Sequence, residues 1–139
     1  MNQSRNPRVY VACKFERKDL CWSASAVLVG RGVEPIQTWH LSKRATDGEA
    51  TDAQKRDAAL QALEEIAQAD AVVVADPNSK TGGLHWESAW ACAHGKPVFI
   101  VGEPTNIFHH LPWVRRAATA EDAAAQVQMW WRRRGSVDD

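Results

Sequence analysis

The chain has no long hydrophobic run, no excess of either charge and too few cysteines for a disulfide framework, and each shortage excludes something. No stretch approaches the roughly 20 consecutive apolar residues of a membrane span. Met1 to Arg8 is polar and carries no apolar signal core, so a soluble, cytoplasmic protein is expected. Lysine plus arginine number 17, as do aspartate plus glutamate, so no net field draws the chain to nucleic acid or an anionic membrane. Neither is expected as a partner. The three cysteines, Cys13, Cys21 and Cys92, include no C-x-x-C pair, and no histidines stand at zinc spacing. They read as reduced, mostly buried residues, and no metal site is expected. G-x-G-x-x-G and G-x-x-x-x-G-K-[ST] are also missing, so dinucleotide and P-loop chemistry lack their phosphate cradles and no cofactor is expected.

What is present is a strand-helix rhythm. With 139 residues there is enough chain for one domain with a core and too little for two, so residues 1–139 are read as a single domain. Residues 8–15 form a β-rich run (Val9, Tyr10, Val11), and a helix over 19–29 carries Leu20, Ala24, Val27 and Leu28 before Gly30 and Gly32 end it. A second strand is expected over 33–39, followed by a polar surface loop over 40–50. Thr51 and Gln54 make a capping box for a helix reaching about residue 69, with Ala58, Leu60, Ala62, Leu63 and Ile66 as its apolar stripe. Ala71-Val-Val-Val-Ala75 lacks alternation, which suits a central parallel strand covered on both faces. A turn-rich loop over 76–83, a helix over 84–94 closed by Gly95, and a strand over 97–101 follow. A short strand over 114–118 precedes a helix opened by Thr119 and Asp122 and ending in Trp130, Trp131 and three arginines. The alternation predicts an α/β fold: a single doubly wound, flavodoxin-like parallel sheet with helices on both faces. Ligands of such sheets gather outside the carboxyl ends of the strands, here the loops after Phe15, Trp39, Ala75 and Val101.

The most informative stretch is Gly83-Leu-His-Trp-Glu87-Ser-Ala-Trp-Ala91-Cys-Ala93-His-Gly95-Lys96-Pro97-Val98, preceded by Ala69-Asp70-Ala-Val-Val-Val. It resembles the nucleoside 2-deoxyribosyltransferase superfamily, whose signature is an Ala-Asp opening a hydrophobic strand, a glycine loop and then E-x-G-x-A-x-A-x-G-K-P-V. Glu87, Ala91, Ala93, Gly95, Lys96, Pro97 and Val98 match in register, and Gly83 falls on the family glycine before the glutamate. Tyr10-Val-Ala-Cys-Lys14-Phe15 likewise resembles the family's first strand, whose end leads into the sugar pocket, and the resemblance covers residues 8–102. It implies that Glu87 attacks the anomeric carbon of a nucleoside or nucleotide, expelling the base and leaving a glycosyl ester for water or a second base to resolve. It also places Lys14 and Phe15 against the substrate. A glutamate in a first helical turn is, in addition, favoured as an anion by the dipole.

The chain departs from the family pattern at Thr81, where the transferases carry an aspartate, and at Ala62, where family members place another. Thr81 is closer to the 2'-deoxynucleoside 5'-phosphate N-hydrolase branch. Asp76, at the end of the central strand, is the candidate acid, set against a turn-forming role before Pro77. Asp57 reads as a solvated helix charge and Asp70 as a structural turn residue. Gly82 and Gly83 are candidate backbone donors to a 5'-phosphate, or simply a tight turn. His85, two residues before Glu87, points to another side of the helix and is a candidate substrate contact or a rim residue. Trp39 either stacks on a nucleobase or fills the core. Trp86 and Trp90 share a helical face that suits an oligomer contact or the core. Trp130-Trp131-Arg-Arg-Arg134 is either a stacking patch or a helix end that favours cations. The expected partners are a small-molecule nucleoside or nucleotide and further copies of the chain, because the family completes each pocket with a neighbouring protomer. Ala62 and Thr81 motivate a second class of function, a catalytically inactive nucleotide-binding or sensing module. A third is an interaction domain that uses its tryptophans.

Overall fold

The computed structural model describes residues 5–14, 17–39, 50–76 and 83–134. Its elements are β1 (Arg8–Ala12), α1 (Lys18–Gly30), β2 (Glu34–Pro35), α2 (Asp52–Gln68), β3 (Ala71–Val74), α3 (Gly83–Ala93), β4 (Val98–Val101), a 3-10 turn (Ile107–His110), β5 (Val114–Ala117) and α4 (Ala120–Arg133). All strand pairs are parallel, in the order β2-β1-β3-β4-β5, the flavodoxin-like order expected from the βαβ rhythm. Phe15, the 40–49 loop, Thr81 and Gly82 lie outside the described residues.

Strand periodicity divides the core into two layers. Val9, Val11, Val73 and Phe99 meet Cys21, Ala24 and Leu28 of α1 and Ala123, Ala124 and Val127 of α4. On the opposite face Tyr10, Ala12, Val72, Val74, Val98 and Ile100 meet Ile66 of α2 and Leu84 and Ala91 of α3. All four residues of β3 are buried, as an unalternating central strand requires.

Several signature residues turn out to be structural. Asp70 accepts from the Arg8 backbone N–H at 2.8 Å and from the Arg5 guanidinium at 2.9 and 3.1 Å. The Lys96 ammonium donates to the Ala67 and Ala69 carbonyls at 3.0 and 2.6 Å, satisfying the end of α2. Gly95 takes φ +77° where α3 closes, a conformation that other residues resist. Both halves of the Thr51–Gln54 capping box are formed. Trp131 is buried and its indole donates to the Arg5 carbonyl at 3.0 Å, and Trp130 packs on the core, so the two tryptophans form no open stacking patch, while Arg132, Arg133 and Arg134 are exposed. Leu60 departs from the expected stripe of α2 and is 59% exposed.

The second strand is shorter than the sequence suggests: of 33–39, only Glu34 and Pro35 are in the ladder. The reason lies in what replaces it. Ile36 N–H still donates to the Val9 carbonyl at 2.9 Å, but the next peptide group of β1 is served by side chains. The Gln37 amide oxygen accepts from Val11 N–H at 3.0 Å, and the Trp39 indole donates to the Val11 carbonyl at 2.7 Å. Gln37 is buried, with its amide nitrogen on Ser25 Oγ at 3.1 Å. The backbone is thereby released from the sheet edge just as it reaches the carboxyl end of β1. Replacing Gln37 by alanine leaves the Val11 N–H buried without a partner, so urea unfolding should show a loss of about 1–3 kcal/mol. An unchanged midpoint would mean that Gln37 does not carry this edge.

Candidate active site

Leu84, Glu87, Ser88 and Ala91 stand at helical spacing on one stripe of α3, and Leu84 and Ala91 are buried against the sheet. Packing this stripe carries the Glu87 side chain into the apolar layer. Tyr10, fully buried on β1, projects from the same face of the sheet, and its hydroxyl donates to Glu87 Oε2 at 2.6 Å. The two residues come together only because β1 and α3 pack over one another.

This environment reverses one expectation. Glu87 is the fifth residue of α3, beyond its first turn, so the dipole is not what governs it. Burial pushes its carboxyl up to about 7, the Tyr10 hydrogen bond pulls it down, and the charge of Glu65 raises it further. Burial also lifts the Tyr10 hydroxyl far above the usual phenol range, with Glu87 and Glu65 adding to it, so Tyr10 remains a proton donor near neutral pH.

Glu65 is the site residue that sequence reasoning missed. It is 6% exposed and accepts from Thr38 N–H at 2.9 Å, from the Thr38 hydroxyl and from the Gln61 amide at 2.8 Å. Its signal was present: Ala62, Glu65, Ile66 and Ala69 share the face of α2 that meets the core, so a glutamate occupies an apolar position.

The other expected residues are dispersed. Asp76 is partly buried directly after β3, and its charge is felt at Cys13 and Arg17, whereas the charge acting on Glu87 is that of Glu65. Lys14 is partly buried after β1, its carbonyl accepting from Arg17 N–H at 3.0 Å. Trp39 is partly buried and packs against both core layers, so it wraps the sheet edge beside β1. Gly83 opens α3, and an added Cβ there would meet nothing within 4 Å among the described residues. His85 faces the other side of α3 from Glu87, with its ring 5.8 Å from that of His109. Thr105 N–H donates to Nδ1 of His109 at 3.0 Å, and burial lowers that histidine's pKa, so it is held neutral. Trp90 packs on the core and stacks on His94 at 3.8 Å, while Trp86 is 68% exposed.

The thiols do not compete as nucleophiles. Burial pushes Cys13 up to about 12 and Cys21 up to about 11, so neither supplies a thiolate near neutral pH. Among the described residues no three histidine, cysteine or acidic side chains cluster as a metal site, and no helix is long and apolar enough to cross a membrane. A hollow of about 330 Å³ lies between α2 and the β2 edge, walled by Arg8 and Glu34 at the amino ends of strands and by Ile36, Gln61 and Glu65 on its other side.

The chain shares this fold with an N-glycosidase. The solved structure of the Clostridium botulinum CMP N-glycosidase BcmB matches at a TM-score of 0.55 and 16% identity, over 88% of this chain and 98% of that one. No family model matches the sequence, and no curated protein matches it. The likeness to BcmB establishes architecture, and the chemistry has to be argued from the residues.

The pH dependence of folding checks the Glu87 environment. Folded Glu87 keeps its proton up to about 7, whereas an unfolded glutamate releases it near 4.5, so the native state binds more protons in between. Stability therefore falls as pH rises through that window and levels off above it. Glu87→Gln removes this slope, and above pH 7 the variant should be the more stable by up to about 3 kcal/mol. Urea unfolding of both proteins from pH 4 to 8 measures this, and parallel curves would contradict it.

Proposed function

We propose that this protein cleaves the N-glycosidic bond of a nucleoside 5'-monophosphate, or less efficiently of a nucleoside, by covalent catalysis on Glu87. The observation that carries the reading is the Tyr10–Glu87 pair: a desolvated carboxyl, held at one oxygen by a neutral hydroxyl, on the helix that follows the central strand. The fold shared with a CMP N-glycosidase and the signature match around Glu87 support it.

Tyr10 engages Oε2, so Oε1 is the attacking atom. It forms a bond to the anomeric carbon as the bond to the base nitrogen breaks, and the bonding pair leaves with the base, which takes a proton from an acid. Asp76, at the carboxyl end of β3, is proposed for that role. As the carboxylate becomes an ester its charge disappears, which relieves the desolvation that burial imposes on it. Water then attacks the anomeric carbon and gives up a proton, and Glu87 departs as carboxylate. Lys14, Phe15, Trp39 and His85 are proposed to border the substrate, with Thr81, Gly82 and Gly83 at its phosphate. Thr81 supports hydrolysis over base exchange and a phosphorylated substrate, because it puts a neutral hydroxyl where an aspartate would repel phosphate and shuttle protons between bases.

Incubation with nucleosides and 5'-monophosphates, with and without excess free base, tests this by product separation. Free base and sugar phosphate should dominate, with monophosphates turning over faster than nucleosides. Efficient exchange on free nucleosides would assign transferase chemistry instead. Glu87→Gln should lose at least about a thousandfold in turnover while remaining folded. An active Glu87→Gln enzyme would remove this residue from the mechanism, and a wild-type protein that binds nucleotides without cleaving them would leave the sensing module.

We also propose a homo-oligomer. Trp86, Ile107, Phe108 and Trp113 are 68%, 77%, 65% and 48% exposed, on α3 and on the segment between β4 and β5 that His85 and His109 bring beside it. Sedimentation should give a dimer or larger, and a fully active monomer at working concentration would refute this.

A further inference from the structure

We propose that the amino ends of the strands carry a separate recognition surface: an arginine cluster around the last turn of α4 that binds the phosphate backbone of a nucleic acid without reading its sequence. The proposal stands apart from the N-glycosidase reading, which concerns the opposite end of the sheet.

The chain totals of acid and base are equal, and that balance points away from such a partner until the charges are placed. Along α4 the signs are separated: Glu121 and Asp122 are in its first turn, Arg132 and Arg133 are in its last, and Arg134 follows. The helix dipole alone favours those three cations. It does not explain two more that other elements bring to the same place. Gln128, one turn before Arg132, donates to the carbonyls of Arg31 and Gly32 at 3.0 and 2.9 Å, which sets the exposed Arg31 at the end of α1 beside α4. Arg115, on β5, holds its guanidinium 5.5 Å over the Phe99 ring, and that ring meets Trp130 edge-on at 6.4 Å. The Arg134 guanidinium lies 3.4 Å over the Trp131 ring. The same turn fixes the location: Trp131 donates to the Arg5 carbonyl, shortly before β1, and Gly32 stands shortly before β2. Among the described residues the ion pairs are Arg5 with Asp70 and Arg17 with Asp19, so none of these five arginines has an acid paired to it. Like charges from three elements thus share one end of the molecule, and an anionic partner relieves their repulsion.

The surface also limits what that partner is. Each guanidinium offers a planar fork of donors that fits a phosphate. Of the apolar residues in this turn, Met129 is exposed, Trp130 half-buried and Trp131 buried, which leaves no aromatic face for a nucleobase and too little apolar surface to enter a lipid layer. None of the five arginines lines the hollow beside α2, and peptide recognition adds side-chain pockets to its charges. A partner held by charge alone is a nucleic acid backbone, whose binding is driven by release of its counterions. Contacts to phosphates carry no sequence information, so such binding is indifferent to sequence.

Fluorescence anisotropy of a short labelled DNA duplex, titrated at several salt concentrations, tests this. If four of the arginines each neutralise one phosphate, log K should fall against log salt with a slope of about −3.5. Binding should then weaken about a hundredfold between roughly 50 and 200 mM salt, and a duplex of unrelated sequence should behave alike. Arg31→Gln and Arg115→Gln should each take about 0.9 off the slope, whereas Arg115→Lys, which keeps the charge, should hold it near the wild-type value. Arg132→Gln combined with Arg133→Gln should remove about twice as much. Absence of binding at the lowest salt would overturn the proposal, as would a slope that both Arg31→Gln and Arg115→Gln leave unchanged. Equal competition by polyglutamate or by phosphatidylserine vesicles would also overturn it, assigning the surface to an acidic protein or to a membrane.

Discussion

The hydrogen bond between Tyr10 and Glu87 requires that a carboxyl be set on the one stripe of α3 that the sheet must cover. Leu84 and Ala91 on either side are buried, so the helix cannot dock without drawing Glu87 in with them. Docking takes the carboxyl out of water, and the Tyr10 hydroxyl offsets only part of that loss, which is why burial remains the largest influence on its proton. The rest of the site adapts to this group. β1 provides a tyrosine where Val9 and Val11 face the other layer, and α2 contributes Glu65 at a position that its own stripe would otherwise fill with an apolar residue.

A second constraint acts at the end of β1. Val11 is buried, so its N–H and carbonyl need partners, and β2 has already left the ladder. Gln37 and Trp39 supply those partners through their side chains, and Glu65 ties down Thr38 between them. Three consecutive residues are thus fixed by side-chain hydrogen bonds where a longer strand would have fixed them by backbone pairing. The backbone bonds of a strand would have kept this segment flat against the edge. The side-chain bonds let it lift away, which brings an aromatic residue to the ligand end of the sheet.

The architecture was legible in the sequence because its signals are local or periodic. The Val72–Val74 run marked the central strand, Thr51 and Thr119 marked helix starts, and Gly95 marked a helix end. Glu87 was legible through the motif around it, while its partner was not, because Tyr10 lies 77 residues away and reaches it only through strand order. Glu65 was hidden by composition: in DAQKRDAALQALEEIAQ it reads as one more charge on a polar helix, and only the register that buries Ile66 reveals that it faces inward. Of the apolar residues expected on that stripe, Leu60 faces solvent, whereas Ala62 and Ile66 share the inner face with Glu65. Asp70 and Lys96 show the reverse case. They belong to the matched motif, yet they hold a turn and a helix end.

A structural role for the Tyr10–Glu87 contact would be filled better by glutamine, whose carbonyl oxygen accepts the same hydrogen bond without a charge to bury. A carboxyl that loses its proton near neutral pH in this layer is a standing penalty to the fold. One feature withholds relief and another increases the penalty: Glu87 lies beyond the first turn of α3, where the dipole has faded, and the neighbouring charge is the negative one of Glu65 rather than a cation. A cation there would have stabilised the anion and made it a poorer nucleophile. The arrangement instead yields a carboxylate of raised basicity with one oxygen held by Tyr10. Those properties fit the nucleophile proposed here for displacement at an anomeric carbon.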